Sequence, residues 1–205
     1  KNILMNILII PTVRKIYKNQ FEYCVDLRLI NLLKKIFIKA KIEIYNNTIK
    51  NKYSLIVLAG GNNSLVEKKK DNIRFYINDK IYNFAIKKKI KILGICHGAQ
   101  FLAKKSKLNL QKKKHHVGNH KVLFNINGLK FSKIVNSYHN DVIKFNKTKD
   151  VNIFGIAQDD TVEAFHVKKK KILGIMWHPE RYVKIKKFDQ KLIKEFYATN
   201  SIISR

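Results

Sequence analysis

The sequence predicts an α/β fold with a mostly parallel central sheet, helices on both faces and a small antiparallel portion in the C-terminal half. Strand and helix patterns alternate through residue 106, as they do where crossover helices join parallel strands. The run SLIVLA at 54–59 is nearly continuously apolar, which is typical of a strand covered on both faces. Beyond residue 120, short apolar runs follow one another closely, which indicates that several of the later strands are antiparallel.

The predicted elements follow this order along the chain. An isoleucine-rich strand covers Asn6–Thr12, and a helix with apolar side chains at helical spacing covers Glu22–Ala40. The remaining elements of the first half are strands over Lys41–Tyr45, Ser54–Ala59 and Lys91–Ile95, a helix over Asp79–Lys88 and a helix from about His97. Those of the second half are strands at 121–126, 131–138, 152–158, 162–167 and 172–177 and a last helix over roughly Lys186–Tyr197.

The length of 205 residues and the absence of a recognisable linker favour a single domain over 1–205. The longest stretch without a charged side chain, 53–66, is shorter than the roughly 18 apolar residues that a membrane span needs. Two cysteines are too few for a secreted disulfide framework, so a reduced, cytoplasmic protein is expected. The chain starts at Lys1, and Met5 is a candidate for the true start.

The formal net charge of +29 is the most unusual feature of the composition. Such a charge is typical of proteins that bind nucleic acid or anionic membranes. Almost all of the 43 basic residues are lysines, however, and arginine is the residue that bidentate phosphate and base contacts favour. The lysines are spread along the chain beside many isoleucines and asparagines, which indicates A/T-rich codon usage. We therefore expect no specific nucleic-acid partner and no membrane partner, and a basic nucleic-acid-binding protein is the least favoured alternative.

The segment KILGICHGAQ has the pattern of a nucleophile elbow, in which an apolar strand turns sharply into a helix at Cys96. Gly94 and Gly98, two positions before and after the cysteine, relieve the crowding of such a turn. The helix N-terminus favours a thiolate, and the backbone N–H of His97 is free to bind an oxyanion. A buried core cysteine is the alternative interpretation. Cys24 has no such context and is expected in the core.

A general base for this cysteine is predicted in the segment ILGIMWHPE. Its apolar strand delivers His178 to the strand end, and Glu180 lies on the same side of an extended chain, where it can orient the imidazole ring. Together with Cys96 these residues supply a nucleophile, a base and an orienting carboxylate. A structural histidine is the alternative. Gly60 and Gly61 follow the strand at 54–59 and can present a second N–H donor to an oxyanion.

Taken together, the segments at 58–63, 92–100 and 175–180 resemble class I glutamine amidotransferases, over most of the chain. The resemblance implies flavodoxin-like layers. It also implies a triad of Cys96, His178 and Glu180 and oxyanion donors on the amides of Gly61 and His97. Substrate-binding positions implied in the same way are Gly60, Gln100, Ser137, Tyr138 and His139.

Further segments are similar to the γ-glutamyl-γ-aminobutyrate hydrolase-like branch, which includes bacterial γ-glutamyl-CDP-amidate hydrolases. They are VNSYHN at 135–140, DDTVEA at 159–164 and the final ILGIMWHPER. This implies a cysteine hydrolase that cleaves a γ-glutamyl amide bond through a glutamyl thioester, without a metal or organic cofactor. Departures at 104–110 and at Asn62 and Asn63 leave the leaving group open. The alternative is a glutaminase component that delivers ammonia to a separate synthase.

Three histidines, His115, His116 and His120, have a spacing that could be interpreted as a metal cluster. No cysteine or carboxylate accompanies them nearby in the sequence, as a zinc site would require. The prediction is therefore that the protein has no metal site.

Overall fold

The computed structural model describes residues 5–18, 20–50, 52–61, 65, 73–113 and 116–202. The interpretations placed on Asn62, Asn63 and His115 lie outside these residues. In the part of the chain that is described, no helix combines the length and the apolar character needed to cross a membrane.

Strands and helices alternate in the first half and strands dominate the second. The strands are β1 Asn6–Ile10, β2 Thr12–Tyr17, β3 Gln20–Cys24, β4 Lys41–Ile44, β5 Leu55–Leu58, β6 Lys91–Ile95, β7 Leu110–Lys112, β8 Val117–Ile126, β9 Leu129–Tyr138, β10 Asp141–Lys144, β11 Asn152–Ala157, β12 Thr161–Val167 and β13 Ile172–Ile175. The helices are α1 Leu27–Ile36, α2 Ile73–Lys87, α3 His97–Lys105 and α4 Lys187–Thr199, with single 3₁₀ turns at Lys168–Lys170 and Pro179–Arg181.

One large sheet has the order β4-β1-β5-β6-β13-β12-β11-β8-β9, with β10 and β7 attached beside β12. The neighbours from β4 to β13 are parallel, and the strands from β12 onward pair antiparallel. The predicted α/β class, with a mostly parallel core and an antiparallel part, is confirmed. The C-terminal strand β13 belongs to the parallel core, because it pairs in register with β6.

Helices cover both faces of this sheet, as predicted. On one face, α1 and α4 contribute Leu29, Leu33 and Phe196 to a buried cluster with alternate residues of the central strands. On the other face, α2 and α3 contribute residues such as Ile81 and Phe101 to a second cluster. The alternation of side chains along the buried strands divides the core in this way.

The first predicted helix is wrong at its N-terminal end. A β2–β3 hairpin occupies the residues through Cys24, so the strand expected to reach Thr12 ends at Ile10. The helix begins only at Leu27, because the Asp26 side chain accepts a hydrogen bond from the Arg28 N–H at 2.9 Å and caps the first turn. Cys24 is half-buried in this hairpin and is therefore not the core cysteine that was expected.

Other boundaries differ where local patterning is weak. Helix α2 begins six residues before the predicted Asp79, because its buried face includes the polar side chains of Arg74 and Asn78. The short strands β7 and β10 were not predicted, since neither has a clear apolar alternation. The strand expected at 172–177 ends at Ile175, so the chain has left the sheet before it reaches His178.

Candidate active site

Cys96 lies in a strained turn between β6 and α3, with φ 49° and ψ −107°. Residues other than glycine rarely adopt this backbone conformation, so the surrounding structure must hold Cys96 in it. A Cβ on Gly98 would overlap the carbonyl of Leu58 in the neighbouring strand, and one on Gly94 would lie 2.7 Å from the Ala99 nitrogen. The glycines therefore allow the close packing that holds Cys96 at the carboxyl edge of the sheet.

His178 reaches the same edge because β13 lies beside β6, with Ile95 opposite Ile175. Asn136 fixes the backbone of the histidine: its side-chain carbonyl accepts from the His178 N–H at 2.8 Å, and its amide donates to the His178 carbonyl at 2.9 Å. The sequence interpretation did not assign Asn136 a role. Its place in the VNSYHN segment, one residue before Ser137, was the available signal.

Glu180 accepts a hydrogen bond from the His178 ring, with 2.6 Å between Oε1 and Nδ1, and both side chains are almost fully buried. Burial alone would lower the pKa of His178, but its hydrogen bonds with Cys96 and Glu180 outweigh burial and raise the pKa to about 9. An imidazolium beside the cysteine sulfur is therefore favoured at neutral pH. The three residues predicted as nucleophile, base and orienting carboxylate therefore lie in contact with one another.

The loop after β5 packs directly against this group. A Cβ on Gly60 would lie 2.5 Å from Cε1 of His178, so only glycine lets the backbone approach the ring so closely. Gly61 follows it at the same edge of the sheet. His97 is the first residue of α3, so its N–H has no acceptor in a preceding helical turn. The two amides predicted as oxyanion donors thus lie at the same edge of the sheet as Cys96: Gly61 follows β5, and His97 follows Cys96.

The predicted substrate contacts divide into two groups. Gln100 donates through Nε2 to the Asp141 carbonyl at 2.8 Å, and His139 Nδ1 lies 3.1 Å from the same oxygen. The Ser137 hydroxyl donates to the His116 carbonyl at 2.5 Å. These three side chains therefore have internal partners.

Tyr138 belongs to the second group, because its side chain is exposed and lies beside the triad. Its ring centroid is 5.5 Å from that of His178, and the Arg181 guanidinium lies 4.4 Å from the ring on the other side. Among the predicted substrate contacts at 137–139, Tyr138 is thus the one whose ring packs against the imidazole, while Gly60 approaches the imidazole through its backbone.

The histidine–glutamate cluster, which we define as His116, His120, His139 and Glu163, lies among the antiparallel strands, and all of its members except the partly buried His120 are buried. Glu163 Oε1 lies 3.5 Å from His120 Nε2 and 3.8 Å from His139 Nε2. Burial lowers the pKa of His139 to about 3, with a further contribution from His116, and burial also raises the pKa of Glu163.

Carboxylates do lie near these histidines in space, although none is near them in the sequence. Glu163 comes from β12, distant in sequence, and Asp159 Oδ2 also lies 3.2 Å from His116 Nε2. One ligand atom each from His116, His139 and Glu163 lies within 4.8 Å of the other two, so this set could hold a cation. The absence of a metal site in the protein stays a prediction.

Asp189, a buried carboxylate on α4, holds the residue that precedes His178. The Trp177 indole N–H donates to Asp189 Oδ1 at 3.0 Å, which ties the residue before His178 to α4. Burial raises the pKa of Asp189 to about 6. No sequence signal marked this carboxylate, because it lies on a helix far from the histidine along the chain.

An α/β sheet with a cysteine elbow and a histidine–glutamate pair at its carboxyl edge defines a class of cysteine-dependent amidohydrolases and amidotransferases. The family model for "Glutamine amidotransferase class-I" matches residues 17–199. The chain belongs to this family, which places it among enzymes of the amidohydrolase and amidotransferase type.

Two curated proteins give partial matches. A gamma-glutamyl-CDP-amidate hydrolase of Campylobacter jejuni is 41% identical over 68 residues, which is 33% of this chain and 32% of that protein. A glutamine amidotransferase-like protein of Lactococcus lactis is 35% identical over 69 residues, which is 34% of this chain and 28% of that protein. The aligned stretch thus spans about a third of the length of either relative.

Solved structures share the fold over most of their length. A GMP synthase component from Thermoplasma acidophilum has a TM-score of 0.70 and 23% identity, and the match covers 95% of this chain and 92% of that one. A glutamine amidotransferase from Thermotoga maritima has a TM-score of 0.66 and 18% identity, with 86% and 76% covered. At these identities the likeness concerns the fold.

Proposed function

We propose that the protein is a single-domain cysteine hydrolase that cleaves the γ-glutamyl amide bond of a small, glutamine-like substrate. The observation that supports it most is the 2.6 Å hydrogen bond that the His178 ring donates to Glu180, since the same ring also hydrogen-bonds the elbow residue Cys96. A base oriented by a carboxylate and paired with a thiol is the arrangement that acyl transfer to cysteine requires. In this proposal the enzyme acts in the bacterial cytoplasm.

The reaction proceeds in two stages. The Cys96 thiolate attacks the γ-carbonyl carbon, and the N–H groups of Gly61 and His97 bind the negative oxygen that forms. The C–N bond then breaks as the His178 imidazolium gives its proton to the departing nitrogen, which leaves a glutamyl thioester. Water attacks the thioester while His178 takes its proton, and glutamate and the free thiol are released. These steps involve only this chain's residues and water, without a metal or organic cofactor.

The substrate we favour is a γ-glutamyl nucleotide amidate or γ-glutamyl amine. The name of the Campylobacter jejuni relative, gamma-glutamyl-CDP-amidate hydrolase, supports the first over the matched third of its length. In the proposal, the backbone at Ser137 and Tyr138 holds the amino-acid end, with Gly60, Gln100 and His139 shaping the site. The side-chain partners of Gln100 and His139 fit a role in holding this wall of the site rigid.

The test is to incubate the protein with γ-glutamyl-CDP-amidate, γ-glutamyl-γ-aminobutyrate and glutamine and to measure the glutamate released. We expect at least one compound to be hydrolysed by the isolated protein. Cys96→Ala should abolish the release, whereas the matched variant Cys24→Ala should retain it, since Cys24 lies in the β2–β3 hairpin and none of its described contacts reaches Cys96, His178 or Glu180. Release that persists in Cys96→Ala would refute the mechanism.

The second candidate is a glutaminase component that passes ammonia to a separate synthase. The fold shared with the GMP synthase component, and the TM-score of 0.63 with the PurLQS structure from Thermotoga maritima, favour keeping it. An isolated protein that is inert on all three compounds, but hydrolyses glutamine once a synthase is added, would support this candidate. Duplex DNA should bind weakly and without sequence preference at physiological salt in either case.

A further inference from the structure

Arg74 is a fully buried cation whose role the mechanism above leaves open. It is the second residue of α2 and is 1% exposed. Its Nη2 donates to the carbonyls of Ala59 and Gly60, at 2.5 and 3.0 Å, and its Nη1 donates to Thr12 Oγ1 at 3.1 Å. Within the described ranges no Asp or Glu forms an ion pair with it. A guanidinium without a carboxylate partner is costly to bury, so packing alone does not account for it.

The contacts of Arg74 determine which way the next peptide faces. In a trans peptide the C=O and the following N–H point to opposite sides of the chain, and none of the described peptide bonds is cis. Because the guanidinium holds the Gly60 carbonyl, the Gly61 N–H points away from α2. A Cβ on Gly61 would overlap Arg74 Nη1, so the side chain lies directly against this peptide.

We propose that Arg74 is a positioning residue that holds the Gly60–Gly61 peptide in the orientation in which the Gly61 N–H meets the substrate oxyanion. A Gly-Gly peptide has little preference of its own and can rotate to present its carbonyl instead. Two charge-assisted hydrogen bonds from one rigid fork remove that freedom before the substrate arrives. This inference rests on the proposed hydrolase function.

Arg74 keeps its charge in this buried place. Burial lowers the pKa of Arg74 to about 10, and its interaction with Cys96 opposes this shift, so the side chain stays cationic at neutral pH. Its hydrogen bonds to the loop are therefore charge-assisted.

The experiment compares Arg74→Met and Arg74→Lys, with Asn78→Ala as the matched control. Asn78 is equally buried one turn further along α2, and none of its described contacts reaches the loop. We expect Arg74→Met to lower kcat by about 100-fold, the usual effect of losing an oxyanion donor, with KM changed less than about threefold. Arg74→Lys should lower kcat by about tenfold, because one ammonium cannot reproduce the fork.

One further measurement separates positioning from general structural support. The inhibition constant of the product glutamate, which carries no oxyanion, should stay within about threefold of wild type in all variants. If Arg74→Met does not fold, Arg74→Lys alone decides, since it keeps the charge and most of the volume.

The outcomes are distinct. A wild-type protein inert on every γ-glutamyl compound removes the proposed function, and the inference with it. An active wild type with an Arg74→Met kcat within twofold of it overturns the inference alone. Equal losses of kcat and melting temperature in Arg74→Lys and Asn78→Ala would also overturn it, because they would show that α2 packing is the cause.

Discussion

Two buried histidine–carboxylate contacts, one in the turn after β13 and one involving β12, have opposite electrostatic character. His178 and Glu180 are 2.6 Å apart, and the pKa of the histidine is raised to about 9. His139 and Glu163 are 3.8 Å apart, and the pKa of His139 is lowered to about 3. Burial opposes the imidazolium in both cases, so the difference comes from what reaches the ring closely enough to compensate.

Chain geometry accounts for this difference. Glu180 is two residues from His178 on the same tight turn, so one short carboxylate bond forms locally and Cys96 adds another. Glu163 instead lies on β12, whereas His139 follows β9. Glu163 is nearer to His120, and this contact raises the pKa of His120 against the effect of burial. A single carboxylate shared between rings leaves one of them neutral. The first contact is therefore suited to proton transfer and the second to holding strands together.

The largest effect is expected from Glu180→Gln, which removes the carboxylate of the first contact. The leaving nitrogen needs a proton from the His178 imidazolium, so wild-type kcat/KM should fall as pH rises through about 9. Removing the carboxylate removes one cause of the raised pKa, so the fall should begin at lower pH, with kcat at pH 7 reduced by about 100-fold. A pH–rate profile measures both. An alkaline limb that does not move would show that Glu180 does not set the protonation of His178.

Asp189→Asn adds a third case to the comparison: a buried carboxylate whose partner, the Trp177 indole, carries no charge. The pKa of Asp189 is raised from 3.8 to about 6 by burial, so the stabilising contribution of its protonated form is present below about 4 and lost as pH rises through about 6. The unfolding free energy of the variant relative to wild type should therefore rise by about 2–3 kcal/mol between about pH 4 and pH 7. Denaturant titrations across that range measure it, and a constant difference would contradict the assignment.

Glu163→Gln should have the smallest effect on the reaction. If the histidine–glutamate cluster only joins strands, kcat should change less than about threefold, in contrast to Glu180→Gln. The pKa of His120 should fall, because contact with Glu163 is what raises it. Proton NMR of the imidazole resonances reports the second effect and steady-state kinetics the first. A kcat loss as large as that of Glu180→Gln would place the cluster in the catalytic machinery.

The sequence was sufficient where an interaction is local. The residues of the elbow around Cys96 lie close together in the sequence, and so do His178 and Glu180, so spacing predicted each local arrangement. The contact of His178 with Glu180 forms in a 3₁₀ turn, however, and not along the extended chain that was expected. Strands β1, β5 and β6 were predicted because continuous apolar runs leave few alternatives.

Long-range contacts were beyond reach for a physical reason. The partners of Arg74 are backbone carbonyls of another segment, which no side-chain pattern reveals. Glu163 and His120 come together only because their strands belong to one sheet. Asn136 likewise holds His178 although the two residues are 42 positions apart in the sequence. The β2–β3 hairpin was missed, and the predicted helix included its last residues from Glu22; only the cap at Asp26 marks the true start of α1.

The pairing of β6 with β13 has a consequence for biosynthesis. Cys96 is made in the first half of the chain, whereas its base arrives on one of the last strands, so the two meet only after long-range parallel pairing, a slow event in folding. A partly synthesised chain would thus hold the elbow cysteine without its proposed base. The proposed active site is complete only at the end of folding, when the sheet that buries Cys96 is already closed.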